Sequence, residues 1–304
     1  MPVSARAHFG RILLRRAIKN HRGTFLEVRE RERRYAAFVA RLAWKEETVQ
    51  LDIDGRRGAR IHPAGAAPGK AILYLHGGGY VTGSIEPHLV LCTPMARAAR
   101  TDIIILDYRL APEHPFPAAL EDALAAWHWL IAQGYRAEDL VVAGDSAGAG
   151  LAAAAVLSLR DAGEALPAAV VCLSPWVDLT NSGQSHILNA AAEPTLRSDV
   201  LREWAGFYAP ESELRNPLVS PVYADFHGFP PLLVQVGGDD ILLDDARRLA
   251  ERGRAAGAEV TLSVWEGMWH VWQMFGYLLP ESRKALDEIA GFVRDKLCPV
   301  RYTA

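Results

Sequence analysis

Ser146 lies in Gly144-Asp145-Ser146-Ala147-Gly148, between a short apolar run, Leu140 to Ala143, and a small-residue stretch that continues through Ala155. A buried strand, a tight turn and a helix in that order present a serine hydroxyl at the tip of the turn, the arrangement of a nucleophile elbow. The flanking glycines fit that reading, because side chains there would collide with the neighbouring strand and helix. A serine hydroxyl is a weak nucleophile by itself. It needs a base, a third group to orient the base, and donors aimed at the oxyanion that forms. The helix after Ser146 points its N-terminus, with free N–H groups and positive dipole end, at that oxyanion.

Candidates for the other roles follow from position. His76-Gly77-Gly78-Gly79-Tyr80 comes directly after the apolar run Ala71–Leu75. Consecutive glycines at a strand end let backbone N–H groups approach a ligand closely, which fits an oxyanion loop. No G-x-x-x-x-G-K-[S/T] pattern supports a phosphate loop instead. His76 itself reads as a structural residue of that loop. The base must sit after the last strand, and of ten histidines only His270, in Trp265-Glu266-Gly267-Met268-Trp269-His270, does so. The acid belongs after the preceding strand, in Gly237-Gly238-Asp239-Asp240-Ile241-Leu242. Asp244 and Asp245 read as first-turn carboxylates of the next helix. Asp239 and Asp240 remain, and adjacency alone does not separate them.

The elements that must hold these groups are legible in hydropathy. Residues 5–43 read as helical and amphipathic, with Phe9, Leu13 and Ile18 on one side and arginines on the other. Such a helix either lies on a membrane surface or packs on its own protein with a solvated arginine face, and the second reading is preferred. Thr48–Ile53 and Ala59–Pro63 read as an opening hairpin about Asp54-Gly55. Ala71–Leu75, Ile103–Leu106, Leu140–Ala143, Ala168–Leu173, Leu232–Val236 and Val260–Val264 read as sheet strands, several as unbroken apolar runs. Helices are expected at His88–Arg100, Phe116–Gln133, Asp244–Ala256 and Glu281–Leu297, giving a mostly parallel sheet wound on both faces. Residues 180–229 contain no apolar strand and read as an insertion over the C-terminal edge of the sheet.

Together these motifs resemble the hormone-sensitive-lipase-like branch of the α/β-hydrolases, also called bacterial family IV esterases. The residues that carry the resemblance are His76-Gly77-Gly78-Gly79, Asp107-Tyr108-Arg109-Leu110-Ala111-Pro112-Glu113, Gly144-Asp145-Ser146-Ala147-Gly148, Ser174-Pro175-Trp176-Val177-Asp178-Leu179, and Asp240 to Asp245. The resemblance runs from about residue 45 onward. It implies an α/β-hydrolase fold, with a mostly parallel central sheet flanked by helices. A catalytic domain of 46–180 and 229–304 would carry a helical cap built from 1–45 and 181–228. It implies a carboxylesterase acting on short- to medium-chain acyl esters through Ser146, Asp240 and His270. The family acid opens a D-x-L-x-D-D/E run, which falls on Asp240 and leaves Asp239 as runner-up; the proline many relatives carry after the acid is absent here. The implied oxyanion donors are the N–H groups of Gly78, Gly79 and Ala147. Glu113 and Asp178 would brace loops. No cofactor or metal is implied, and pairing of two copies through strand 260–264 is expected by analogy.

Trp204, Phe207 and Tyr208 in the insertion, with Trp269 and Trp272 beside the base, would either wall a pocket or form cap core. Hydrolysis of an amide, lactone or lysophospholipid on the same residues, and a non-catalytic small-molecule binder, are the alternatives; comparing kcat/KM across substrates separates the first, and the presence of His270 argues against the second. Half of the 304 residues are hydrophobic and the net charge is −3, which allows a large core and disfavours a nucleic-acid partner. Three scattered cysteines, Cys92, Cys172 and Cys298, fit reduced thiols in a cytoplasmic protein. No apolar run reaches the roughly 18 residues of a bilayer span, and Ile12–Leu14 is too short for a signal peptide, so no stable membrane insertion is expected.

Overall fold

The computed structural model describes residues 3–19, 23–41 and 47–298. Eight strands form one sheet: β1 Glu47–Ile53, β2 Arg56–His62, β3 Ala71–Leu75, β4 Asp102–Leu106, β5 Leu140–Asp145, β6 Ala169–Leu173, β7 Leu232–Gly237 and β8 Val260–Trp265. Their order is β1-β2-β4-β3-β5-β6-β7-β8. The pairs β1–β2 and β2–β4 are antiparallel, and every pair from β4 to β8 is parallel. Asp54 and Gly55 both take positive φ, which joins β1 to β2 by a tight turn of the twist that hairpins favour.

Strands β3 to β7 are buried at every position, as unbroken apolar runs require. Side chains alternate between two cores. Leu73, Ile104, Val142, Val170 and Val234 face one way with α4 Ala118–Ala132, α5 Ala147–Asp161 and α8 Leu243–Ala255. Ile72, Ile103, Val141, Val171 and Leu233 face α3 Ile85–Ala99 and α9 Pro280–Leu297. Of the expected helices, the one after Ser146 runs further than Ala155, to Asp161. Between β6 and β7 there is no strand; α6 Ser185–Leu188 and α7 Ser198–Tyr208 occupy the insertion. No helix among the described residues is long and apolar enough to cross a membrane.

The N-terminal segment departs from expectation. It forms α1 Ala5–Leu14, a π-helical continuation Arg15–Lys19, and α2 Phe25–Arg41, whose start is closed by a reciprocal cap between Thr24 and Glu27. Positions 20–22, including His21, lie outside the described residues, as do 42–46 and 299–304 with the expected domain ends. Of the apolar side chains of α1, Ala7 and Leu14 pack inward with Met268, Trp269 and Trp272, whereas Phe9 is 63% exposed and Leu13 49%. Several cations of the segment reach inward, while Arg6 and Arg16 stay exposed. Arg11 donates to the carbonyls of Ala192 and Gly267, and Arg15 and Lys19 reach the carbonyls of Ala190, Ala191, Ala192 and Glu193. The expected solvated arginine face is thus corrected in part: Arg6, Arg16, Arg33 and Arg34 are exposed, but Arg11, Arg15 and Lys19 bond to backbone carbonyls. Backbone carbonyls of residues 190–193 and 267 lie under this helix, and guanidinium groups satisfy them where apolar side chains would leave them orphaned.

Arg11 also pairs with Asp239 at 2.6 Å. Replacing Phe9 or Leu13 by serine is therefore expected to change stability by no more than about 0.5 kcal/mol. Arg11→Ala should cost about 2 kcal/mol, because it strands charge-assisted partners. Thermal denaturation of the three variants checks the ranking, and a larger loss from Phe9→Ser than from Arg11→Ala would reverse it.

Candidate active site

Parallel register delivers the loops after β3, β5, β7 and β8 to one edge of the sheet. Leu75 pairs with Gly144, Asp145 with Leu173, and Gly237 with Trp265. At the end of β5 the chain reverses through Ser146, whose φ of 54° and ψ of −123° lie in a region disfavoured for a side-chain-bearing residue. Distortion of this kind costs about 1–3 kcal/mol and persists only where surroundings enforce it. Here Ser146 N–H donates to the Leu173 carbonyl at 2.8 Å, and its own carbonyl accepts from Trp176 N–H at 3.0 Å. Gly148 is obligatory for space: a Cβ would come within 3.0 Å of the Leu75 carbonyl oxygen and the His76 backbone. That contact brings the loop after β3 beside the serine.

The loop after β3 is held from behind by a buried charge cluster. Asp145 accepts from Gly77 N–H at 3.0 Å and Tyr74 Oη at 2.8 Å, with His88 Nε2 at 3.5 Å. His88 donates through Nδ1 to the Ser84 carbonyl. Burial alone would favour neutral forms of both partners, but each charge outweighs it for the other, holding the Asp145 pKa below the usual carboxylate value and the His88 pKa above the usual imidazole value. His76 is neutral. Burial and the neighbouring His88 push its pKa down to about 3, and it stacks on Tyr108 and bonds the Gly77 carbonyl. Gly78 and Gly79 have positive φ, and their N–H groups engage no partner among the described residues. Ala147 is the first residue of α5, so its N–H has no intrahelical acceptor.

His270 and Asp240 meet at 3.0 Å through Nδ1 and Oδ2, with Asp240 fully buried. Its other oxygen accepts from Leu242 N–H. Asp239 turns away to Arg11. With Nδ1–H given to Asp240, the imidazole keeps Nε2 as the free lone pair. Val271, the next residue, has φ 45°, an outlier for a β-branched side chain. Its N–H is held by Ser174 Oγ at 3.1 Å. The N–H of His270 is held by Glu193 Oε2 at 2.9 Å.

The other expected residues are distributed as follows. Glu113 pairs with Arg29, and Asp178 accepts from Thr180, Ser182 and Arg248. Asp244 and Asp245 do stand in the first turn of α8, but their carboxylates reach the N–H groups of Ser185 and of Val177 and Asp178. The aromatic residues divide between the two readings. Trp204 lies over the glycine loop after β3, so close that a Cβ on Gly79 would overlap its indole. Phe207 packs on Phe25 and Tyr208 stacks on Tyr80. Trp269 and Trp272 are buried with Ala7, Met268 and Leu279 behind the base loop. Sequence reading passed over Glu193, His88 and Arg11. A lone carboxylate after Asn189-Ala190-Ala191-Ala192 was a signal for the first; nothing local marked the others. No three His, Cys, Asp or Glu side chains among the described residues converge to hold a metal ion.

Known proteins with this arrangement define the class. Residues 72–274 match the family described as alpha/beta hydrolase fold. An acetyl-hydrolase of Streptomyces hygroscopicus is 47% identical over 226 residues, spanning 74% of this chain and 76% of its own. An esterase of Acinetobacter venetianus is 36% identical over 258 residues, or 84% and 85% of the two chains. A crystal structure of an esterase from the bacterial hormone-sensitive lipase family superimposes with a TM-score of 0.92 at 42% identity, over 98% of this chain and 100% of that one. The chain belongs to the α/β-hydrolases, in their hormone-sensitive-lipase branch. It is an ester hydrolase.

The electrostatics of His270 set a pH dependence. Burial would lower its pKa, but the charge and hydrogen bond of Asp240, with Glu193 and Asp145 further off, outweigh burial and leave the pKa above its ordinary value. With His270 in the role of a base, which must be neutral, kcat/KM should fall as pH drops through a midpoint above about 6.5. A pH–rate profile checks this. A profile flat down to mildly acidic pH would remove His270 from the rate.

Proposed function

We propose that the protein hydrolyses short- to medium-chain acyl esters, with Ser146 as nucleophile, His270 as general base and acid, and Asp240 as the orienting carboxylate. The observation that carries this reading is the 3.0 Å His270–Asp240 pair, on the same sheet edge as the strained Ser146 turn. His270 Nε2 takes the hydroxyl proton as Ser146 Oγ attacks the ester carbonyl. The N–H groups of Gly78, Gly79 and Ala147 receive the developing oxyanion. The protonated imidazole then gives its proton to the departing alcohol, leaving an acyl-serine that water clears by the same route. Asp240 keeps the Nδ1–H tautomer and stabilises the imidazolium without taking the proton.

The cap is read as residues 1–45 with 181–228, over a catalytic body of 46–180 and 229–304. Support for one cap unit comes from Arg11, Arg15 and Lys19, which bond to the carbonyls of 190–193. Preference for short acyl chains is supported by Trp204, whose indole occupies the space over Gly79.

Hydrolysis of p-nitrophenyl butyrate by wild type and Ser146→Ala tests the nucleophile. The variant should lose on the order of 10⁵–10⁶ in kcat. Turnover that survives the substitution would assign attack to another group. Trp204→Ala should raise the ratio of kcat/KM for octanoate over acetate esters by about tenfold, since each accommodated methylene contributes to transition-state binding. An unchanged ratio would place the acyl chain elsewhere.

A further inference from the structure

Glu193 is a fully buried carboxylate of the insertion between β6 and β7, and its two oxygens do different things. Oε1 closes its own turn, accepting from Thr195 N–H at 2.7 Å, Thr195 Oγ1 at 2.6 Å and Leu196 N–H at 3.2 Å. Oε2 crosses to the base loop and accepts the backbone N–H of His270 at 2.9 Å. The next N–H, of Val271, is held by Ser174 Oγ, and Val271 has the positive φ that an unrestrained β-branched residue avoids. The peptide carrying the base is therefore fixed on both sides, once from the catalytic body and once from the insertion.

We propose that Glu193 is a positioning residue for His270, holding the base loop through its backbone and coupling the placement of the insertion to the reaction. Glu193 touches no reacting atom. Its effect reaches the imidazole by two routes: the hydrogen bond that fixes where the ring stands, and the negative charge that favours the protonated ring. The inference rests on His270 being the base.

The surroundings suit that task. His270 and Asp240 face the carboxylate from the loops after β8 and β7. From the N-terminal helix, Lys19 bonds the Glu193 carbonyl, Arg15 stands next to it, and Arg11 bonds the Ala192 carbonyl and pairs with Asp239. Arg197 lies further along the same segment and acts on Lys19. The cations of the helix thus hold the backbone from which Glu193 projects, and the side chain itself is reserved for N–H and hydroxyl donors.

Glu193→Gln separates the two oxygens. An amide can keep its oxygen on the three donors of Thr195 and Leu196, but its NH₂ then meets the N–H of His270, donor against donor. With p-nitrophenyl butyrate as substrate, kcat should fall about 10- to 100-fold while KM stays within about threefold, as expected for a base displaced by less than an ångström or so. The acid-limb midpoint of kcat/KM should also move down, because one negative charge near the imidazolium is gone. Thr195→Val removes one bond to Oε1, leaves the His270 bond, and should keep kcat within about threefold.

Wild-type kcat and pH profile in Glu193→Gln would overturn the proposal while leaving Ser146 and His270 in their roles. Equal losses in Glu193→Gln and Thr195→Val, without a pH shift, would reduce Glu193 to holding its own turn. Turnover that survives Ser146→Ala, with a rate that ignores the His270 titration, would remove the reading on which the proposal stands. Should Glu193→Gln fail to fold, hydrogen exchange on the wild type decides: slow exchange of the His270 amide is expected, and fast exchange would show that nothing holds it.

Discussion

The close approach of two backbones at the end of β5 is the constraint from which the site is built. Gly148 lies against the carbonyls of Leu75 and His76 with no room for a Cβ, and Gly144 lies against Gly148 in the same way. This contact places the loop after β3 beside the turn that carries Ser146, so the proposed oxyanion loop and nucleophile follow strands paired directly in the sheet. The distortion of Ser146 follows from the same geometry. A strand must turn into a helix within one residue, and the hydrogen bonds to Leu173 and Trp176 hold it there.

Around this contact the interior is charged in a way an apolar core would not be. Asp145, one residue before the serine, is fully desolvated yet holds Gly77 N–H and faces His88. Asp240 and Glu193 hold His270 from two sides, one through the ring and one through the backbone. Buried carboxylates are costly unless hydrogen bonds and counter-charges surround them, and here each has several. In return they fix the loop at Gly77 and the ring and backbone of His270, the atoms that the proposed mechanism needs in place before a substrate arrives.

The N-terminal segment shows how far local pattern can mislead. Phe9 and Leu13, one turn apart on α1, both face outward, and so does Ile18 in the π-helical continuation. Small and apolar residues, Ala7, Gly10 and Leu14, make the packed side, and Arg11, Arg15 and Lys19 reach from it to a row of carbonyl oxygens. Hydrophobic periodicity detects that a helix has two faces. Which one is turned in depends on what it lands on, and that surface is assembled from residues far away in the chain.

The fold and the nucleophile turn were legible because each rests on short-range physics. Unbroken apolar runs such as Ala71–Leu75 can only be strands covered on both faces, and glycines flanking Ser146 permit the one turn that serves it. His270 could be chosen from ten histidines by strand order alone. Local physics does not separate the two aspartates, because Asp239 and Asp240 share chemistry and differ by one residue; in the fold the loop sends Asp240 into the interior toward His270 and Asp239 outward to Arg11. Glu193 and His88 were invisible for a related reason. Their partners, the His270 amide and Asp145, lie far off in sequence, and a carboxylate or imidazole shows its purpose only when burial has stripped away water and left one partner. The sequence by itself determined the strands, the elbow and the set of candidate groups. Tertiary structure alone decided which charges meet, since desolvation and hydrogen-bond geometry belong to the packed chain.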